Sequence, residues 1–160
     1  MIKMKEPGKY SFGTGDRFSH QGRAQLEALM QASSELGIEV TPVWNKSNRE
    51  HLIVHSEPAD VRAEADAAVK ALNYTGPYFV DADHINLNTV DRFIKHSDFF
   101  TLDVADYIGR KASDTDIEGF IEAHRSFCGR LQIPGILDSF TITEHYLKEF
   151  TEKFLFAINE

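Results

Sequence analysis

One apolar stretch of the chain ends in two carboxylates and an imidazole. Residues 77–80 are apolar or aromatic, and Asp81-Ala82-Asp83-His84 follows directly. Such a run is typical of a buried strand. Asp81 and Asp83 are two residues apart, so on a strand their side chains point to the same side. The two carboxylates repel each other unless a cation or a proton lies between them. The spacing therefore allows a divalent metal site with Asp81, Asp83 and His84 as ligands, although turn and capping chemistry also favours Asp here.

A second polar group, Gly13-Thr14-Gly15-Asp16-Arg17, follows the first predicted strand. Two glycines in three residues allow a sharp turn and a close approach of the backbone to a ligand. The third glycine of a dinucleotide-binding fingerprint is absent at the required spacing. Arg17 can bind two oxygens of a carboxylate or a phosphate, or it can pair with a surface acid. The residues alone leave both interpretations open.

Three further polar residues follow predicted strands. Asn45 lies in the polar segment after the second strand, and Asp103 and Asp106 end the fourth. Each aspartate could accept a hydrogen bond from a sugar hydroxyl, act as a general base, or begin the next loop. For Asp106 the loop interpretation is slightly favoured.

Strands and helices alternate along the chain. The apolar pattern predicts strands at 9–12, 38–43, 78–82 and 99–106. Helices are predicted from Ser19 to Leu36, from Glu57 to Asn73, and from Asn88 or Thr89 to Ile94. Two more are expected to start at the Thr-x-x-Glu capping boxes of Thr115 and Thr141, with an irregular segment over 131–140 between them. Residues 50–55 could extend a loop or form a short element.

This alternation predicts an α/β fold with a parallel sheet and right-handed crossovers. Four such units fit about half of a TIM-type (β/α) barrel or, alternatively, a small open doubly wound sheet. In either fold, ligands bind at the carboxyl ends of the strands. Seven polar residues fall at these ends: Asp16, Asn45, Asp81, Asp83, His84, Asp103 and Asp106.

Composition narrows the classes of partner. The 160 residues are 42% hydrophobic and 26% charged, which suits a single globular domain over 1–160. Twenty-five acids against seventeen bases give a net charge of −8, which argues against binding to nucleic acid or to an anionic membrane. A single cysteine, Cys128, excludes an internal disulfide. The first residues lack the apolar segment of a signal peptide, so we expect a cytoplasmic protein.

Three motifs resemble the bacterial tagaturonate epimerases in order and approximate spacing, over roughly residues 9–110. They are Phe12-Gly13-Thr14-Gly15-Asp16-Arg17, Asp81-Ala82-Asp83-His84, and Phe99-Phe100-Thr101-Leu102-Asp103 followed by Asp106. The resemblance implies a divalent-metal-dependent isomerase of hexuronate catabolism that interconverts tagaturonate and fructuronate. Members of this family are longer at both ends. The chain is therefore expected to be a fragment of a barrel enzyme, without some residues of the site.

The chemistry of such an epimerisation, considered independently of the resemblance, suggests roles for the polar residues. Asp83 and His84 are expected to bind the metal, with Asp81 as a further ligand or beside one. Asp16 is the expected base, and Asp103 a second catalytic residue. Arg17 is expected to bind the carboxylate of the sugar acid. Asn45 and Asp106 are expected to contact the same small-molecule substrate.

Two other functions fit the same residues. The strand ends could hold a sugar acid or a phosphate without converting it. A receiver-type regulatory domain could use Asp81 or Asp83 in an acidic pocket, although no lysine follows the fourth strand where one is expected. An exposed half-barrel face predicts self-association, unless the last helix, 141–158, covers it.

Overall fold

A computed structural model describes residues 6–160, which form two compact units. The first ends at Asp103, and the second runs from Val104 to Glu160. The predicted single domain over 1–160 stays a prediction. Within residues 6–160, none of the helices combines the length and the apolar character that crossing a membrane requires.

The first unit is an α/β sheet. Its strands are β1 (Tyr10–Gly15), β2 (Val40–Ser47), β3 (Phe79–Ile85) and β4 (Phe99–Leu102), and its helices are α1 (Gly22–Leu36), α2 (Asn48–Val54), α3 (Pro58–Ala71) and a 3-10 turn over Val90–Arg92. The four strands pair in chain order, and every pair is parallel. This confirms the predicted α/β fold with a parallel sheet. Among the described residues the sheet does not close into a barrel, and the half-barrel stays a prediction.

Helices α1 and α3 cover one face of this sheet. Their apolar side chains pack on residues of β2 and β3 in one buried cluster, formed by Leu26, Trp44, Val61, Ala65, Ala68 and Val80. Side chains alternate along a strand. Asn45 and Asp81, each next to a residue of this cluster, therefore lie on the opposite face of the sheet.

The second unit contains α4 (Asp114–His124), α5 (Glu144–Asn159) and a hairpin of β5 (Gly129–Leu131) and β6 (Phe140–Ile142). Two 3-10 turns span Ala105–Tyr107 and Arg125–Phe127. Ala112, Ile117 and Leu155 form its buried cluster. The burial of these side chains holds α4 against α5.

The start of α1 differs from the prediction. Strand β1 continues through the glycines to Gly15, and α1 begins at Gly22 with Gln21 as N-cap, without a side-chain cap bond. Ser19 is not the cap: it has a φ of 55°. The N–H groups before the helix bond instead to the Asp16 carboxylate, which leaves no capping role for Ser19.

Other boundaries in the first unit also shift. Strand β2 runs on through the predicted loop to Ser47, where a capping box with Glu50 starts α2. Strand β3 continues to Ile85. Strand β4 ends at Leu102, so the predicted extension to Asp106 is wrong, because residues 105–107 form a 3-10 turn.

In the second unit, the predicted capping boxes are wrong by a short step along the chain. Ser113, rather than Thr115, caps α4 by accepting a hydrogen bond from the N–H of Asp116. Thr143, rather than Thr141, caps α5. Thr141 lies instead in β6, so the segment predicted as irregular joins the two strands of a hairpin.

Candidate active site

The register of the parallel sheet brings polar residues of neighbouring strands level. Gly15 pairs with Asn45, Asn45 with Asp81, and Asp81 with Phe99. Asn45 and Asp81 are therefore neighbours on the sheet face opposite α1 and α3. They were predicted from the ends of two separate strands, and pairing places them side by side.

Glycines on β1 make room for the Asn45 side chain. A Cβ atom at Gly13 would lie 3.1 Å from Asn45 Nδ2, and one at Gly15 would lie 3.0 Å from Asn45 Oδ1. Both distances are shorter than ordinary van der Waals contacts. The Asn45 amide thus lies across β1, in space that a side chain at either glycine would occupy.

Asp81 is buried, with 6% of its surface exposed. Its Oδ2 accepts a hydrogen bond of 2.7 Å from Thr101 Oγ1 on β4. Its Oδ1 is buried and has no hydrogen-bond partner among the described residues. Burial raises the pKa of Asp81, and the nearby Asp83 charge adds to this, while the hydrogen bonds from Thr101 oppose it. Sequence reasoning missed Thr101, although it lies two residues after Phe99, at a same-face position of the strand.

Asp83, His84 and Asp103 lie close together after Asp81. His84 Nε2 is 3.7 Å from Asp83 Oδ1, and His84 Nδ1 is 4.0 Å from Asp103 Oδ2. The β3–β4 register shifts between Ala82 and Ile85, and His84 has a φ of 52°. The strand is therefore irregular where these side chains leave it, a feature that re-aims side chains near active sites.

Two carboxylates and an imidazole are suitable ligands for a divalent cation. Over residues 6–160, however, no group of three or more His, Cys, Asp or Glu side chains lies close enough to hold a metal ion. The described residues therefore supply individual donors without forming a complete metal site.

Asp16 is bound into the turn after β1. Its oxygens accept hydrogen bonds from the backbone N–H groups of Phe18, His20 and Gln21 at 3.0, 2.5 and 2.7 Å. Partial burial raises the pKa of Asp16, but these hydrogen bonds outweigh burial and hold it below its usual value. A carboxylate bound in this way is a weak base and a strong turn anchor.

Arg17 faces an acid from α2. Its Nε is 3.7 Å from Glu50 Oε1, and its side chain is 55% exposed. Glu50 also accepts hydrogen bonds from Ser47 N and Oγ in the α2 capping box. The capping box therefore fixes the partner of Arg17, which keeps exposed donors for other groups.

A buried polar cluster at the end of β2 was missed from the sequence. Lys46 is 1% exposed, and its Nζ donates a 2.8 Å hydrogen bond to Ser56 Oγ, which lies 2.9 Å from His51 Nδ1. Burial, together with the charges of Lys46 and Arg92, lowers the pKa of His51 to about 4. Lys46 is one residue from Asn45, so it lies on the helix-covered face. A lone lysine at the end of an apolar strand was the available signal.

Asp106 belongs to the second unit, in the 3-10 turn over Ala105–Tyr107. Its backbone oxygen accepts a 2.8 Å hydrogen bond from Arg110 Nε. Its role in binding substrate stays a prediction. In the first unit, the carboxyl edge of the sheet carries the remaining predicted site residues: Asp16, Arg17, Asn45, Asp81, Asp83, His84 and Asp103.

Solved structures share this fold. The chain is similar to the native fructuronate-tagaturonate epimerase of Cohnella laeviribosi, with a TM-score of 0.70 and 19% identity over 96% of this chain and 33% of that one. For the same enzyme with one glycerol bound, the TM-score is 0.70 and the identity 18%, over 96% of this chain and 33% of that one. For the form with two glycerols, the TM-score is 0.67 and the identity 19%, over 94% of this chain and 32% of that one. The chain thus spans about a third of the length of these enzymes.

A family model supplies the second comparison. No curated protein matches the chain. The model of tagaturonate epimerase, UxaE, matches residues 2–150, well over half of the sequence. The order of motifs noted in the sequence and the fold of the first unit agree with this match. The chain therefore belongs to the tagaturonate epimerase family.

Proposed function

We propose that this chain forms part of an enzyme that interconverts tagaturonate and fructuronate, a hexuronate epimerase. The observation that carries the proposal is the family match over residues 2–150. The fold shared with the Cohnella enzyme supports it. The polar carboxyl edge of the sheet, where ligands of parallel α/β folds bind, is the site we assign to the reaction.

The reaction needs more than enolisation. The carbon to be inverted lies one position beyond the carbon next to the ketone, so its hydrogen is not acidified by the carbonyl. A retro-aldol route avoids this difficulty. A base takes the proton of the hydroxyl on the carbon to be inverted. The bond between this carbon and the carbon next to the ketone breaks, and its electron pair moves toward the ketone to give an enediolate. The resulting aldehyde rotates, the bond re-forms on its other face, and the proton returns.

We assign the proton transfer to Asp103. Its side chain is 43% exposed and lies 4.0 Å from His84 Nδ1, at the open edge of the sheet. Asp16, the other expected base, accepts three backbone hydrogen bonds that stabilise its charged form. We therefore propose that Asp16 holds the turn and that Asp103 moves the proton.

Arg17 and Asn45 are suited to binding the sugar acid. The guanidinium of Arg17 can bind a carboxylate through two nitrogens, and Glu50 keeps it near the edge of the sheet. The Asn45 amide, which lies across the two glycines of β1, can donate to one hydroxyl and accept from another. Together they would fix both ends of a small polar substrate. Asp106 remains a proposed further contact.

We also propose a divalent cation in the complete enzyme. Asp83 and His84 would be the ligands from this chain, with Asp81 as a third ligand or beside them. Further ligands would come from outside the described residues, which hold no complete set. When bound, such a cation stabilises the charge of an enediolate.

Metal analysis of the complete enzyme tests this proposal. Asp83→Ala is expected to lose most of the bound metal, whereas Asp138→Ala, at an exposed position of the second unit, should keep it. Equal metal content in both variants would remove Asp83 from the ligand set.

The activity is tested by incubating the complete enzyme with tagaturonate and measuring the formation of fructuronate. Asp103→Asn is expected to lower turnover at least about a hundredfold, the usual weight of a positioned base, with little change in substrate binding. Binding of tagaturonate without conversion would favour the alternative, a sugar-acid binding module. Cytoplasmic location and self-association through the exposed sheet face remain further proposals, the second testable by light scattering.

A further inference from the structure

A small cavity lies behind the turn that carries Asp16. It has about 10 Å³ of room for the centre of a water molecule, which is the space of a single water. The residues around it come from β1, from the turn after it, from α1, from β2 and from α3. The lining residues used below are Ser19, Gln25, Trp44, Asp16 and Glu64.

Three buried polar atoms of this lining have no hydrogen-bond partner among the described residues. They are Ser19 Oγ, Gln25 Oε1 and Trp44 Nε1. A buried polar group without a partner is costly, so native proteins leave few of them. Three such atoms on residues that line one cavity fit a single shared partner.

Their chemistry selects the partner. The indole N–H of Trp44 can only donate, the amide oxygen of Gln25 can only accept, and the hydroxyl of Ser19 can do either. A molecule that contacts all three must both accept and donate. The N–H disfavours a cation, and the carboxylates of Asp16 and Glu64 in the lining disfavour an anion. These carboxylates, which by themselves would attract a cation, already accept backbone N–H hydrogen bonds. The room for the centre of about one water molecule fits a neutral water.

We propose that this cavity is the binding site of one structural water. The water accepts a hydrogen bond from Trp44 Nε1 and donates to Gln25 Oε1, and Ser19 Oγ is its third partner. Three partners are the usual number for a buried water. The proposal does not depend on the enzymatic function.

This water would join three elements under the turn. Trp44 belongs to β2, Gln25 to α1 and Ser19 to the segment between β1 and α1. Gln25 Nε2 also donates to the carbonyl of Gly15 at 3.3 Å, directly before Asp16. The water thus positions the glutamine that holds the end of β1.

Trp44 allows a specific test, because it is the only tryptophan of the chain. In the 15N-labelled chain its indole gives one N–H resonance. A cross-peak between the indole proton and water, with the sign of a long-lived bound water, is expected. Its absence would overturn the proposal.

Variants identify the partners. Gln25→Met, close in shape but without the acceptor, is expected to abolish the cross-peak. Gln31→Met, on the exposed side of the same helix with a surface bond to Glu35, should leave it unchanged. Persistence of the cross-peak in a folded Gln25→Met variant would also overturn the proposal.

Ser19→Ala controls for exchange through the hydroxyl proton of Ser19. The water would keep Trp44 and Gln25, so the cross-peak is expected to remain. Its loss in Ser19→Ala would mean that the signal in the unaltered chain came from the hydroxyl, and the proposal would be wrong. The measurement on the unaltered chain decides the question even if a variant fails to fold.

Discussion

Thr101 Oγ1 on β4 donates a 2.7 Å hydrogen bond to Asp81 Oδ2 on β3. The bond crosses between neighbouring strands on the face opposite α1 and α3. The other oxygen of this carboxylate, Asp81 Oδ1, is buried and has no hydrogen-bond partner among the described residues. The two residues therefore depend on each other for satisfaction of a buried polar group.

Thr101→Val should destabilise the protein because the buried Asp81 loses this donor while the shape is kept. The expected loss in the free energy of unfolding is about 1–3 kcal/mol, measured by denaturant titration. Thr101→Ser keeps the hydroxyl and serves as the control, with a loss below about 1 kcal/mol expected. Equal losses in both variants would assign the effect to packing of the methyl group.

Gly15→Ala should disturb the site through Asn45. The added Cβ would lie 3.0 Å from Asn45 Oδ1, so the amide must move. If Asn45 contacts the substrate, turnover of the encoded enzyme should fall roughly tenfold, or about 1.4 kcal/mol. Gly119→Ala, where the new Cβ meets nothing within 4 Å, is the control.

A double variant separates this collision from other effects. In an Asn45→Ala background the steric conflict is gone, so Gly15→Ala should have little additional effect on turnover. Two fully additive losses would show that Gly15 acts independently of Asn45.

His51 should make stability depend on pH. Its pKa is lowered from 6.5 to about 4 in the folded protein, so the unfolded state binds a proton first as the pH falls. The contribution of neutral His51 to the free energy of unfolding is fully present above pH 6.5 and is lost progressively between pH 6.5 and pH 4. The lost free energy of unfolding is of the order of 3 kcal/mol.

Unfolding titrations between pH 7 and 4 measure this dependence. His51→Gln should flatten it, whereas His145→Gln, at an exposed position of α5, should not. An unchanged pH profile in His51→Gln would contradict the assignment.

Asp16→Ala should weaken the turn before α1. It removes the acceptor of three backbone N–H groups, with an expected cost of about 1–2 kcal/mol, as for a lost helix cap. Because the folded pKa of Asp16 is lowered, its contribution is present above the unfolded value and is lost as the pH falls through the folded one.

Thermal unfolding at pH 7 and pH 3 therefore distinguishes this role. The difference in melting temperature between Asp16→Ala and the unaltered chain should shrink at the lower pH. Asp16→Asn keeps one acceptor oxygen, so its melting temperature should lie between those of Asp16→Ala and the unaltered chain. A difference independent of pH would argue against a charge-dependent role.

The apolar pattern was sufficient to predict the parallel sheet. Strand β3 shows why: Phe79 and Val80 point to opposite faces of the sheet and are both buried, and the polar residues that follow mark the carboxyl end. Because parallel strands end at one edge, the positions of Asn45, Asp81, Asp83, His84 and Asp103 near one another followed from their places along the chain.

Competition between nearby residues was beyond the sequence. Ser113 and Thr115 can each cap a helix, and only the folded backbone selects Ser113. Before α1, Asp16 rather than Ser19 accepts the backbone hydrogen bonds, because its carboxylate reaches three N–H groups at once. Contacts between strands, such as that of Thr101 with Asp81, depend on register, which the separate segments do not reveal. Lys46 was missed because a lysine at the end of an apolar strand is usually exposed, and this one is buried.

Strand β2 passes into α2 without a connecting residue, since Ser47 ends the strand and Asn48 begins the helix. An insertion or deletion here would break the bond pair between Ser47 and Glu50 and would rotate the helix relative to the strand. Length variation among homologues of this chain should therefore avoid the junction at Ser47.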